Sequence, residues 1–312
     1  MTESTADSPP ARLRVWTQAV RAFAFPASIV PVLVGAAVAA SQPGPVLWWA
    51  FPLALLGGVL FHAGTNLVSE YYDYARGVDR PDTGGRNNVL VRGLLRPGQV
   101  FRAGVLMFAL ACGASGVFVW IRGWPVVWLG LAAVAGGFFY TGWPVGYKYR
   151  AMGDVMVFIL MGSLMVVGTC FVMTGGWPLK AMLASVPIGC LVAAILHANN
   201  LRDIETDRRM GVRTLANVLG LRVAKVEYCL LVLGAFACLA VIAATGVVSR
   251  WAMLAFLSLP LGARNIGLIL RARSGNTHEV ATVDVRTAQL HLLFGVLFSA
   301  GIAMEGWMGK AS

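Results

Sequence analysis

Nine stretches of this chain run apolar for roughly twenty residues each, about the length a helix needs to cross a bilayer core. They cover 22–41, 47–72, 101–121, 125–142, 154–174, 180–200, 226–246, 251–270 and 287–306. With 58% hydrophobic and only 12% charged residues, an ordinary soluble domain is excluded. The fold class that follows is all-α: a polytopic membrane bundle of nine transmembrane helices. Residues 1–21 form a polar tail, and 22–312 form one domain. Prolines and glycines inside the spans predict kinks, whose freed backbone groups neighbouring helices can satisfy.

A net charge of +11 would suggest nucleic-acid affinity, but its distribution argues against it. With the N-terminus placed in the cytoplasm and the spans alternating, 21 of the 25 basic residues fall on the cytoplasmic side. Only Arg122, Lys180, Arg250 and Lys310 lie opposite. Lys/Arg bias of this kind sets orientation. It puts the N-terminus and the charged connectors in the cytoplasm, and the C-terminus across what is read as a cell inner membrane. Thirteen of the 14 acids share the basic side, Glu305 excepted. Acids carry little topological weight, so their clustering asks for a chemical cause. The five cysteines stand singly in apolar spans, which reads as core filling. The first span ends in A-V-A-A-S, similar to a cleavage site. Pro26 and Pro31 interrupt that run and the charge alternation uses it, so it is read as retained.

Two polar segments repeat at an offset of 134 residues. The first is F-H-A-G-T-N-L-V-S-E-Y-Y-D-Y-A-R-G-V-D, from Phe61 to Asp79. The second is L-H-A-N-N-L-R-D-I-E-T-D-R-R-M-G-V-R, from Leu196 to Arg213. The offset superposes Asn66 on Asn200, Asp73 on Asp207 and Gly77 on Gly211. Helical spacing puts Asn66, Glu70 (or Ser69) and Asp73 on one face, and Asn200, Asp203 and Asp207 on another. Carboxylate and amide oxygens suit Mg²⁺, which is usually held by one or two carboxylates plus substrate phosphates. The two stripes therefore predict half-sites, at 66–79 and 199–207, around Mg²⁺ and a diphosphate. A single stripe would read as a solvated helix end.

These motifs, on the second and sixth of nine helices, resemble the UbiA superfamily of intramembrane prenyltransferases. Three further segments agree: W-T-Q-A-V-R-A-F-A-F-P-A-S-I-V-P-V-L-V-G near the start, Y-T-G-W-P-V-G-Y-K-Y-R-A-M-G-D from Tyr140, and T-A-Q-L-H-L-L-F-G from Thr287. The second motif is most similar to the menaquinone branch, whose members prenylate 1,4-dihydroxy-2-naphthoate. Two positions depart from that branch. Ser69-Glu70 stands where Asn-Asp is common, and Arg213 stands where Lys is usual.

The resemblance implies Mg²⁺-dependent transfer of a polyprenyl group from a polyprenyl diphosphate to an aromatic acceptor. It implies Asp73, Asp79, Asp203 and Asp207 as metal ligands, supported by Asn66, Glu70 and Asn200. For the diphosphate it points to Lys148, Arg202 and Arg213, with Arg86 and Arg92 as weaker candidates. Tyr140, beside Phe138, Phe139 and Tyr147, reads either as an interfacial anchor or as a π face for the allylic cation. His62 and His197 are expected to hydrogen-bond within their motifs, His278 to be a solvated loop residue and His291 to line the pocket mouth. Other readings are a different acceptor (another quinone precursor, a chlorin, a haem or a glycerol phosphate), a cation-coupled transporter, or an isoprenoid-binding pseudoenzyme. Acids gathered at one membrane face beside basic residues favour the transferase over a transporter, whose site would lie near the midplane.

Overall fold

The computed structural model describes residues 12–80, 89–273 and 280–308. Its helices are α1 Arg12–Ala19, α2 Pro26–Ala40, α3 Ala50–Ala75, α4 Pro97–Arg122, α5 Trp124–Phe138 and α6 Gly153–Thr174. They continue as α7 Leu179–Arg202, α8 Ile204–Arg209, α9 Leu215–Leu219, α10 Leu221–Ala244, α11 Arg250–Arg271 and α12 Val283–Met308. No strand occurs among the described residues.

Eight helices are long and apolar enough to cross a membrane, counting the 3-10 turn before α2 with that span. The expected fourth span is the exception. Helix α5 has 15 residues, about 22 Å at the α-helical rise, against a hydrocarbon core of about 30 Å. Among the described residues, the helix ends fall into two groups. At one end, Lys180 Nζ reaches both Glu305 oxygens at 2.9 Å and Ser41 Oγ at 3.2 Å, and the Ser249 N–H donates to Glu305. Arg122 Nε donates there to the Val172 carbonyl. The opposite end gathers the close of α3, the close of α7 and the start of α12, where Arg202 meets Asp284 at 2.6 Å.

The core runs through α2, α6, α7, α10, α11 and α12, where Val34, Val166, Leu191, Tyr228, Phe236 and Phe294 are buried together. Helices in lipid gain little from excluding water, so close backbone approach matters more. A Cβ on Gly162 would sit 2.4 Å from Gly189 Cα, so only glycine lets α6 and α7 meet there. The outward face is apolar too: Trp120 is 92% exposed, with Trp124, Leu230 and Leu257 also outward. That is the surface expected of a bundle solvated by lipid. A second apolar cluster, including Val15, Ala19, Leu67, Leu90 and Val100, seats α1 against α3 and the start of α4. It braces the turn that carries Asp73.

Candidate active site

The two polar segments end their helices in the same way. Gly77 (φ 67°) and Gly211 (φ 71°) are left-handed, a conformation glycine adopts without a Cβ penalty. In the first motif the Gly77 N–H donates to Tyr74 O and the Val78 N–H to Asp73 O, at 3.0 and 2.9 Å. In the second, the Gly211 N–H donates to Arg208 O and the Val212 N–H to Asp207 O, at 3.3 and 2.9 Å. Both pairs are Schellman caps. Each fixes its aspartate four residues before the glycine. The helix is continuous through Asp73 but interrupted at Asp203, which lies between α7 and α8.

Between the motifs stands the loop joining α5 to α6. It is rigidly tied. Tyr147 is buried and donates its hydroxyl to Gly136 O at 2.6 Å, while the Lys148 N–H donates to Tyr140 O at 2.8 Å. The Ala151 N–H donates to Arg213 O at 2.6 Å, which joins this loop to the segment after the second motif. So held, Lys148 Nζ lies 2.7 Å from Asp73 Oδ2, and the Tyr149 hydroxyl lies 2.7 Å from Oδ1. Ser69 Oγ adds a third donor at 3.1 Å, so the serine at this position serves its own motif's aspartate. Burial works against the Lys148 charge, but Asp73 with Tyr140 and Tyr149 outweighs it and holds the ammonium pKa above its ordinary value.

The second motif is organised by Arg202. Its guanidinium grips both Asp203 oxygens at 2.8 and 2.6 Å, Asp284 at 2.6 Å and Asn199 Oδ1 at 2.6 Å. Arg202, expected on the diphosphate, is thus occupied in aligning two carboxylates and an amide. Asn200, expected beside the metal, donates to Asp154 Oδ1 at 3.3 Å instead, and of these two neighbours it is Asn199 that lines the cavity. Asp154 also lies 3.4 Å from His197 Nδ1, and Glu227 lies 3.8 Å from the same nitrogen. His197 Nε2 is 2.8 Å from Ala224 O. A carbonyl only accepts, so that nitrogen carries a proton and Nδ1 faces the two carboxylates. These three side chains brace α7 against α6 and α10, one helical turn inside the site.

The remaining acids crowd together. Burial pushes the Asp207 carboxyl up to about 7; Lys148 pulls it back, and Asp203 and Asp73 push it further. Burial, then Asp73, likewise raises Asp79 above the usual carboxylate range. Carboxylates that resist ionising beside one another form a donor set that fits a divalent cation, whose charge relieves the repulsion. Glu70 faces elsewhere. It is 1% exposed, and its Oε2 sits 3.7 Å from an Arg21 nitrogen without a hydrogen bond. Asn66 donates to Val20 O at 2.9 Å and fixes the turn carrying Arg21. Arg92 and Arg213 are exposed. Arg86 and His278 lie outside the described residues.

Beside this polar end begins a cavity of about 340 Å³. Arg21, Asn66, Tyr140, Lys148, Asn199 and Asp284 lie at its mouth, and Ala54, Phe118, Val126 and Val172 at its depth. It passes between α3, α4, α5 and α6, and α2, α7 and α12 contribute to its walls. Tyr140 lines it, with Lys148 Nζ 5.9 Å from its ring centroid and with burial raising its hydroxyl pKa. His62 lines it as well, bonded to Ser28 Oγ at 2.8 Å. His291 does not reach the mouth. It is fully buried on α12, outside the cavity lining, because the face of α12 that carries it turns inward.

Sequence reasoning left Arg21, Tyr149, Asp154, Asn199 and Asp284 unassigned. Arg21 counted only toward topology, yet it is left-handed (φ 56°) and lines the cavity. A usable signal was the excess of acids on one side, which includes both Asp154 and Asp284.

Residues 28–293 match the model of the UbiA prenyltransferase family. The chain is 32% identical over 289 residues to UbiA prenyltransferase domain-containing protein 1 of Xenopus tropicalis, covering 92% of this chain and 81% of that one. It is 30% identical over 294 residues to the 1,4-dihydroxy-2-naphthoate octaprenyltransferase of Bacillus subtilis, covering 92% of each. A UbiA homologue from Aeropyrum pernix shares the fold at a TM-score of 0.67 and 15% identity, over 91% of this chain and 98% of that one. A UbiA homologue from Archaeoglobus fulgidus bound to GPP and Mg²⁺ does so at 0.62 and 17%, over 91% and 99%.

Proposed function

The chain belongs to the UbiA prenyltransferase family, and we propose that it transfers a polyprenyl group from a polyprenyl diphosphate to 1,4-dihydroxy-2-naphthoate. The observation that carries this reading is the meeting of two equivalently capped aspartate motifs and Lys148 at the mouth of an apolar cavity. The similarity to the Bacillus subtilis enzyme supports the acceptor.

Asp73, Asp79, Asp203 and Asp207 would hold divalent metal, taken as Mg²⁺, with Asn66, Glu70 and Asn200 placed to support the helices that present them. Bound Mg²⁺ supplies Lewis-acid stabilisation of charge building on the leaving diphosphate. The protein's own residues do the rest. Lys148 holds a fixed positive charge against Asp73, where a diphosphate would sit, and adds electrostatic stabilisation without reorganising. Arg213 and Arg92 belong to connectors at this end and would receive the outer phosphate. Arg202 fixes the positions of Asp203 and Asp284.

As the allylic C–O bond breaks and the diphosphate leaves, the allylic carbon bonds to a ring carbon of the acceptor, and that ring carbon then gives up its proton or, where it bears the carboxylate, CO₂. Tyr140 offers a π face at the cavity mouth that steadies cationic character, and the apolar walls keep water away from it. The basic excess at this end supports a cytoplasmic position for the site loops and N-terminus, with the bundle taken to lie in a cell inner membrane and the C-terminus on the far side.

The test is direct. Purified protein receives a polyprenyl diphosphate and 1,4-dihydroxy-2-naphthoate, with Mg²⁺ or with a chelator. Prenylated naphthol that disappears on chelation supports the reading. Turnover only on another acceptor from an aromatic panel would reassign the substrate.

A further inference from the structure

The cavity has a floor. Its deepest residues, Phe118, Val126 and Val172, are only 3%, 5% and 7% exposed. Phe118 is backed by Trp49, whose ring stacks on it with centroids 5.9 Å apart and 24° between planes. Trp49 is itself 45% exposed, so the pair of rings stands between the lumen and the outside of the bundle. Just above the floor, one wall is stripped of side chain: a Cβ on Gly130 would meet nothing within 4 Å. The lumen is therefore open beside Gly130 and closed at Phe118.

We propose that Phe118, backed by Trp49, is the stop that limits prenyl tail length, and that Gly130 keeps the lumen above it open. The inference rests on the prenyl diphosphate reading. From Val157 to Val172, both lining α6, the helix rises about 22 Å. An extended isoprene repeat of four carbon–carbon bonds spans about 5 Å. The length of channel down to Phe118 therefore holds about four isoprene units. A tail that exited sideways into lipid would pass no such limit.

The experiment uses the full chain in lipid nanodiscs and non-cleavable thiolodiphosphate analogues carrying two to eight isoprene units, with no acceptor present. Wild type is expected to bind most tightly near four units and roughly tenfold more weakly at eight. Phe118→Ala should move the optimum to longer tails, and Phe118→Leu should move it less. Gly130→Leu should move it to shorter ones. The two milder variants carry the test if Phe118→Ala does not fold. Wild-type affinity that stays level beyond four units, or a profile unmoved by all the variants that fold, overturns the stop. Absence of binding at every length overturns both the stop and the diphosphate reading. Length-dependent binding without turnover on any aromatic acceptor overturns only the proposed reaction, and turnover with a level length profile overturns only the stop.

Discussion

Lys148 Nζ sits 2.7 Å from Asp73 Oδ2 across 75 residues of chain, in a pair whose carboxylate end is buried. Removing one partner of such a pair leaves a charge with little water to solvate it, which costs far more than the net worth of the pair. In the Lys148 position that cost falls on the catalytic apparatus, because Tyr149 and Ser69 alone then hold Asp73.

Lys148→Met is therefore expected to lower kcat/KM by roughly 100-fold or more, the scale of losing a preorganised charge at a reacting centre. Asp73→Asn should do the same. Combining them should cost less than the product of the two losses, because the residues share one interaction. Additive losses in a double-mutant cycle of steady-state kinetics would show that the pair does not act as a unit.

The pH dependence follows from Asp207. Its carboxyl is raised from an ordinary 3.8 to about 7 in the folded protein. Between those values the folded state binds more protons than the unfolded state, so stability falls as pH rises through that window and levels off above it. Metal must displace the proton, so Mg²⁺ affinity should rise over the same interval. Thermal melts from pH 5 to 8 without metal should show the decline, Mg²⁺ should reverse it, and Asp207→Asn should lessen it, with Asp79 contributing part of the remainder. A melting temperature that rises with pH in metal-free wild type would contradict this assignment.

How much of this was legible beforehand depends on the range of the interaction. Apolar runs report local burial, so the passes and their order could be read directly, and the Phe61–Asp79 and Leu196–Arg213 repeat showed which ends carry chemistry. The short fourth pass was blurred because the apolar run continues through Phe139 and Tyr140 after the helix has ended at Phe138. Side-chain partners were not legible. Arg202 finds Asp284 82 residues away, and no periodicity encodes that contact. Asn199 and Asn200 are neighbours whose roles differ because the helix face rotates between them, so the 134-residue superposition selected the one that faces Asp154.

Gly77 and Gly211 offer a test of the internal equivalence. Both are left-handed, and a side chain at Gly211 would meet nothing within 4 Å. Alanine there pays only for conformation, about 1 kcal/mol. Gly211→Ala should lower stability by that amount and also weaken Mg²⁺ binding, because the Schellman cap that positions Asp207 is disturbed. Gly77→Ala should weaken Mg²⁺ binding comparably through Asp73. Denaturation in detergent and metal titration measure the two effects separately. Stability loss at both glycines with unchanged metal affinity would detach the caps from the metal site.

The far end of the bundle completes the topological argument. Lys180 and Glu305 pair at 2.9 Å, and Glu305 also accepts from the Ser249 N–H, so three passes are tied at the face away from the aspartates. If the basic excess sets orientation, this tie lies outside the cytoplasm and the aspartate motifs lie inside. A reporter inserted after Arg222 should read cytoplasmic, and one inserted after Gly176 should read external. Lys180→Glu should break the tie and lower thermal stability, and Glu305→Lys in the same chain should restore part of it by reversing the pair. Because the pair is partly exposed, the recovered stability should be modest, up to about 1 kcal/mol. A cytoplasmic signal after Gly176 would invert the orientation and place the proposed diphosphate site on the opposite side of the membrane.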